Sequence, residues 1–160
     1  MELKLYVMKL YNIVCLFILM SFMTSCLTSG LDDLPEYDEA MISNFKFEYR
    51  WFDDVQNKMC VEQMLVDTKV DNNNFTVTCD INVPTTDNEF PEEIRENVSL
   101  SNLVGYCEIS TAAIIAPLEN APKLGQIQNF DQNEPMRYKV TSASGNSNVW
   151  TLIINSFNKD

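Results

Sequence analysis

The sequence predicts an all-β domain, a sandwich or barrel of about seven strands. Three observations carry this. Apolar and polar residues alternate with period two over several stretches. Turn-forming clusters recur roughly every 8–20 residues. No amphipathic stretch is long enough for a three-turn helix, and nothing suggests the strand–helix alternation of a parallel α/β sheet.

The elements follow in order. Phe45, Phe47, Tyr49 and Trp51 fall on one face of an extended strand, and Asn44, Lys46, Glu48 and Arg50 on the other. One face is built for a core and the other for water. Asp53-Asp54 ends it. Residues 61–70 read as a second, less regular strand. Asp71-Asn72-Asn73-Asn74 is a turn, because Asn and Asp tolerate left-handed backbone and cap their own amides. Phe75, Val77, Cys79, Ile81 and Val83 then alternate again until Pro84, which brings no amide hydrogen to a ladder. This pair is the clearest hairpin in the chain.

Residues 85–97 are polar and acidic, with Phe90 and Ile94 placed to pin a loop or one helical turn to the core. Residues 98–103 and 106–115 read as short strands around Gly105. Pro117, Pro122 and Gly125 mark a long connection anchored by Phe130. Met136, Tyr138 and Val140 alternate on the next strand, Ser144-Gly145-Asn146-Ser147 turns the chain, and residues 149–157 close the domain.

The N-terminal stretch is not part of this fold. Lys4 and Lys9 precede an apolar run ending at Met23, followed by the small residues Thr24 and Ser25. These are the parts of an export signal. The run is short for a membrane span, which needs about 20 residues. Met23-Thr24-Ser25-Cys26 resembles the bacterial lipobox. The resemblance implies that Cys26 carries lipid and becomes the first mature residue. Several acyl chains on one residue hold a protein on a bilayer, since each buried methylene contributes about 0.8 kcal/mol. The expected organisation is therefore a lipoprotein signal peptide over 1–25, a lipidated acidic tether over 26–40, and one domain over 41–160.

The tether carries Asp32, Asp33, Glu36, Asp38 and Glu39 with no basic residue, and like charges keep such a segment extended. Acid-rich starts of this kind resemble the surface-export signals of Bacteroidetes lipoproteins, although here the acids begin six positions after Cys26. Loss of residues 1–25 removes Lys4, Lys9 and Glu2 and leaves 9 basic and 22 acidic side chains, a net charge of −13. Nucleic acid and anionic membrane surfaces are poor partners for that charge, because neutralising phosphate takes clustered Lys and Arg.

Chemistry finds little purchase. The chain has no histidine, which removes the commonest general base and metal ligand. Glu92 and Glu93 are adjacent and point apart in an extended segment, whereas glycosidase chemistry needs two carboxylates facing across about 5–9.5 Å. There is no glycine-rich phosphate loop and no cofactor motif, so the expectation is a protein without catalytic activity or cofactor. Cys60, Cys79 and Cys107 remain after Cys26. Three is odd, so one thiol stays free unless it pairs with another chain. If one bridge forms, Cys79–Cys107 is the expected pair. The alternative for each is a small hydrophobe buried on a strand.

A sugar platform on a sandwich would need an exposed aromatic, and Trp51, Tyr106, Trp150 and Tyr49 are the candidates. Trp51 shares the face of Phe45 and Phe47, and Trp150 shares that of Leu152 and Ile154. Both registers favour the core. Tyr37 and Phe52, beside tether and turn, are expected to be exposed.

Residues 137–146, Arg-Tyr-Lys-Val-Thr-Ser-Ala-Ser-Gly-Asn, followed by Val149-Trp150-Thr151-Leu152-Ile153-Ile154, resemble the closing hairpin of immunoglobulin-like modules in Bacteroidetes lipoproteins of unknown function. Ile42 to Phe47 is similar to their opening strand, Ile81-Asn82-Val83-Pro84 to their strand ending in proline, and Phe130 to the aromatic before the last hairpin. Ser144 stands where that pattern usually has Asp. The resemblance covers about residues 41–157. It implies an immunoglobulin-like β-sandwich that binds or scaffolds at the cell surface, with no catalytic residues.

The expected function is a non-catalytic outer-membrane lipoprotein, a binding or structural module held to the membrane through lipid on Cys26. Its partner would be a glycan or a cell-surface protein. A glycan-recognition accessory of a polysaccharide uptake system is one alternative. An adhesive or fimbrial subunit is another, and it would need an exposed edge strand able to accept a strand from another chain.

Overall fold

A computed structural model describes residues 37–159. The expected leader, the lipobox with Cys26 and all but the last four tether residues lie outside the described residues.

The domain is an all-β, immunoglobulin-like sandwich of two sheets. The strands are β1 (Ile42–Asp53), β2 (Lys58–Gln63), β3 (Leu65–Asp71), β4 (Thr76–Asn82), β5 (Leu103–Ile109), β6 (Ile114–Pro117), β7 (Ile127–Gln128), β8 (Met136–Thr141) and β9 (Ser147–Asn158). Sheet A has the order β2-β1-β5-β7 and sheet B the order β3-β4-β9-β8-β6. All neighbours are antiparallel except β4 and β9, which run parallel.

Nine strands stand where about seven were expected, and Met64 supplies the main reason. The stretch read as one strand pairs with β1 up to Gln63 and with β4 from Leu65. Met64 is buried between, and its amide donates to the Phe47 carbonyl at 2.9 Å. Even-numbered residues from Cys60 to Val70 stay on the more buried side throughout. The chain thus changes sheets without breaking its period-two pattern, and alternation alone could not reveal the switch. The stretch 106–115, read as one strand, likewise divides, into β5 of sheet A and β6 of sheet B, and β7, two residues long, lies inside the connection marked by Pro117, Pro122 and Gly125.

Gly105 also differs from expectation. It lies inside β5, opposite Phe47, rather than between two strands. A Cβ there would sit 2.7 Å from Phe130 Cζ and 3.2 Å from Phe45 Cε1. The missing side chain lets two rings close over the strand. Residues 98–102 hold a 3-10 turn, Leu100–Asn102, in place of a strand.

The core lies between the sheets. Phe45 and Phe47 of β1, Cys79 and Ile81 of β4, Tyr138 of β8 and Trp150 of β9 are fully buried, each of the large apolar ones contributing roughly 1.5–3 kcal/mol. Phe47 meets Phe130 edge-on with centroids 5.1 Å apart, and Phe45 lies 6.0 Å from Tyr138. The β3–β4 hairpin turns as expected: Asp71 Oδ1 accepts the amides of Asn73 and Asn74 at 3.0 and 3.2 Å. Phe90 is fully buried and Ile94 partly so, which pins the acidic loop through one turn of helix, α1 (Glu92–Arg95).

Cys60, Cys79 and Cys107 are all free, so no Cys79–Cys107 bridge exists. The two sit in different sheets, Cys79 3.9 Å from the Thr68 hydroxyl and Cys107 opposite Phe45. Burial pushes their thiols up to about 11 and about 12. At neutral pH they are packed hydrophobes rather than nucleophiles.

Candidate functional site

The solvent face of sheet A is where the structure departs most from a simple water-facing surface. Glu48, expected to face water, is only 6% exposed. It sits mid-strand on β1, opposite Gln63 of β2 and Val104 of β5. A carboxylate there must be hydrogen-bonded or it would cost several kcal/mol in desolvation. Glu48 Oε1 accepts from Arg50 Nε at 2.5 Å and from the Tyr106 hydroxyl at 2.8 Å, and Oε2 accepts from Gln63 Nε2 at 3.1 Å. Arg50 donates in turn to the Tyr106 oxygen. Three strands therefore hold one closed polar network whose members fix one another's rotamers.

The electrostatics agree with that geometry. The hydrogen bond to Glu48 holds the Arg50 pKa above its ordinary value. Burial, then the hydrogen bond to Glu48, raises that of the Tyr106 phenol. Beside the network, Lys46 pairs with Glu108 across β1 and β5 and lowers the Glu108 pKa. On the other side lie Phe52, Met59 and Val61, all exposed. The register places Phe52 opposite Met59 and Arg50 opposite Val61 on this face.

Of the four aromatics considered as a sugar platform, only Tyr106 belongs to this face. Trp51 is half-buried on the opposite side of β1, stacked on Tyr49 at 5.9 Å and tilted against Phe90 at 5.8 Å. Trp150 is fully buried, edge-on to Phe75, and its indole N–H donates to the Ala40 carbonyl at 3.0 Å. Ala40, read as the last tether residue, is itself buried. Tyr37 and Phe52 are exposed, as expected from their places. Sequence reasoning missed Glu48, Arg50 and Gln63 as a group. The one available signal was a Glu two residues from an Arg on the supposed water face, and that pattern is common on any strand.

Two clefts flank the 131–136 loop. The larger, about 370 Å³, is lined by Leu100, Phe130, Met136, Leu152 and Ile153 among others, and the smaller, about 280 Å³, by Glu119, Asn120 and Gln132 among others. Neither contains Trp51, Tyr106 or Trp150. Among the described residues, every buried side-chain nitrogen and oxygen has a hydrogen-bond partner. No group of three or more Cys, Asp or Glu is placed to hold a metal ion among them. No helix among them is long and apolar enough to cross a membrane.

The model of the DUF5018-related family matches residues 42–153, which takes in every strand but the end of β9. The chain belongs to the DUF5018-related family. A crystal structure at 1.81 Å resolution of a Bacteroides fragilis NCTC 9343 protein, regarded as secreted, has the same architecture. It matches with a TM-score of 0.70 and 29% identity, over 78% of this chain and 100% of that one. No curated protein matches. The DUF5018-related match thus accounts for the sandwich that carries the Glu48 network, and function has to be argued from that network, because a fold hosts many functions.

Proposed function

We propose that this DUF5018-related protein is a non-catalytic binding module of the cell envelope, held to the outer membrane by lipid on Cys26, with the solvent face of sheet A as its contact surface. The observation that carries the reading is the Glu48–Arg50–Tyr106–Gln63 network. Burying and fully hydrogen-bonding a carboxylate on the outside of a sheet orders polar groups that would otherwise be mobile. That lowers the entropy cost of meeting a ligand. An aromatic ring, a guanidinium and an amide on one sheet face, beside an apolar patch, suit the hydroxyls and the apolar face of a sugar. The ligand class proposed is therefore a glycan.

Affinity electrophoresis of the protein in gels containing envelope or host polysaccharides tests this. Retardation by at least one polysaccharide is expected, and Tyr106→Ala and Arg50→Ala should reduce it while circular dichroism stays unchanged. Mobility identical in every gel would remove the glycan. Incorporation of a labelled fatty acid into wild type but not into Cys26→Ala is the outcome expected for the anchor. Equal labelling would end that part of the reading.

A further inference from the structure

The edges of the two sheets are not equivalent. In sheet B, β3 lies against β1, where the Thr68 hydroxyl donates to the Phe45 carbonyl. On β6, the Leu118 amide bonds back to Arg137, so by alternation Ile115 and Pro117 point their backbone outward, and Pro117 has no N–H to offer. In sheet A, β7 is two residues long. β2 is different. It has six residues and pairs on one side only.

The register defines what β2 presents. Met64 bonds to Phe47, and the pairing continues as Tyr49 with Glu62, Trp51 with Cys60 and Asp53 with Lys58. Hydrogen-bonded pairs alternate along an antiparallel ladder. The amides of Lys58, Cys60 and Glu62 therefore face β1, and those of Met59, Val61 and Gln63 face out. Met59 is 60% and Val61 47% exposed. Among the described residues no carboxylate lies within ion-pair distance of the Lys58 ammonium. Glu62 faces Asp87 and Glu89 in the loop behind it, and burial together with those charges raises its pKa.

The sequence of this edge, Lys58-Met59-Cys60-Val61-Glu62, is complementary to itself when reversed about Cys60. We propose that two copies of this chain pair antiparallel along β2, with the twofold axis at Cys60, joining their sheets A into one continuous sheet. In that register the outward amides of Met59 and Val61 bond to the partner's Val61 and Met59. Those side chains meet on the solvent face, apolar against apolar. Lys58 lies opposite the partner's Glu62 and Glu62 opposite the partner's Lys58. Both are non-hydrogen-bonded pairs, in which side chains approach more closely. A shift of two residues either way loses both charge pairs, and a shift of four toward the C-terminus sets Glu62 against itself. The interface is isologous and closes at two copies. It is independent of the glycan reading and leaves the Glu48 network uncovered.

The axis supplies the test. A non-hydrogen-bonded pair brings Cα atoms to about 4.5 Å, within the roughly 4.4–6.8 Å that a cystine spans. Two Cys60 thiols can become one disulfide, giving two protons and two electrons to glutathione disulfide, which leaves as two glutathione thiols. The full-length protein in its membranes is treated with glutathione disulfide and resolved without reductant. The expected product has twice the mass of the chain and is absent from Cys60→Ser but present in Cys79→Ser and Cys107→Ser. Glu62→Lys and Lys58→Glu each set like charges across the axis and should lower the cross-linked fraction about fivefold. The double variant Lys58→Glu/Glu62→Lys exchanges the partners and should restore it. A strictly monomeric product, a product containing a different protein, or a double variant no better than the singles would overturn the proposal.

Discussion

Gly105 and Phe130 are packed so closely that a single methyl group separates the native arrangement from a clash: a Cβ on Gly105 would stand 2.7 Å from Phe130 Cζ. The ring is fully buried and sits edge-on to Phe47, so any retreat disturbs that packing. Gly105→Ala should therefore destabilise the domain by about 1–3 kcal/mol through overpacking. Adding Phe130→Leu should cost less than the sum of the two single changes, because the second removes the atom the first strikes. Urea unfolding of the four proteins in the cycle measures both quantities.

The network on the other side of the same strand makes a different prediction. Tyr106→Phe removes the donor 2.8 Å from Glu48 Oε1 while keeping the ring. Stability should fall by about 1–3 kcal/mol, because the bond donated to Glu48 and the bond accepted from Arg50 are both lost. Val104→Thr, next to the network but outside its hydrogen bonds, serves as the comparison for any general sensitivity of β5. Thermal unfolding followed by circular dichroism separates them.

Alkaline pH should unfold this protein. Burial raises Cys79 from 9.0 to about 11 and Cys107 from 9.0 to about 12. Burial also raises the phenols of Tyr49, Tyr106 and Tyr138 above 10.0. As pH climbs past 9 the unfolded chain releases these protons while the folded one keeps them. The unfolded state then binds fewer protons, so stability falls with rising pH. It should be complete below pH 9 and decline progressively above it, toward about 12. At the acid end the sign reverses: Asp53, Asp71, Asp80 and Glu108 are lowered by hydrogen bonds, so their contribution is lost as pH falls below about 4. Denaturant midpoints across pH 3–11 report both limbs.

The three free thiols should separate by position. Cys60 lies on an open edge, and Cys79 and Cys107 lie inward with raised pKa values. Iodoacetamide should modify Cys60 in the native protein, and Cys79 and Cys107 only after unfolding. Peptide mapping by mass identifies each site. Fast native labelling of Cys107 would show that the sheets open more readily than their packing implies.

Trp150 ties the start of the domain to its last strand through Ala40, and Asn148 Nδ2 donates to the same carbonyl at 3.2 Å. Trp150→Phe keeps an aromatic but loses the indole N–H. The expected cost is about 1–3 kcal/mol from the lost bond and the smaller ring. Protease cleavage within residues 37–41 should rise along with it, and N-terminal sequencing of the fragments reads that directly.

The sequence alone determined the all-β class, the β3–β4 hairpin with its Asp71 turn, and the inward side of β1, β4 and β8. These follow from local causes: alternation places every second residue on one face, and Asp or Asn bonds its own turn amides. The anchoring of Phe90 and Phe130 was legible for the same reason, an isolated large apolar residue in a polar segment. Only the tertiary structure decided that the chain changes sheets at Met64, since period two survives the change. Only it decided that Gly105 is a packing contact within a strand, since the ring that needs the space comes from 25 residues further on. The burial of Glu48 likewise depends on Arg50, Tyr106 and Gln63 arriving from three strands, and side-chain pattern along one strand carries no record of what the neighbouring strands bring.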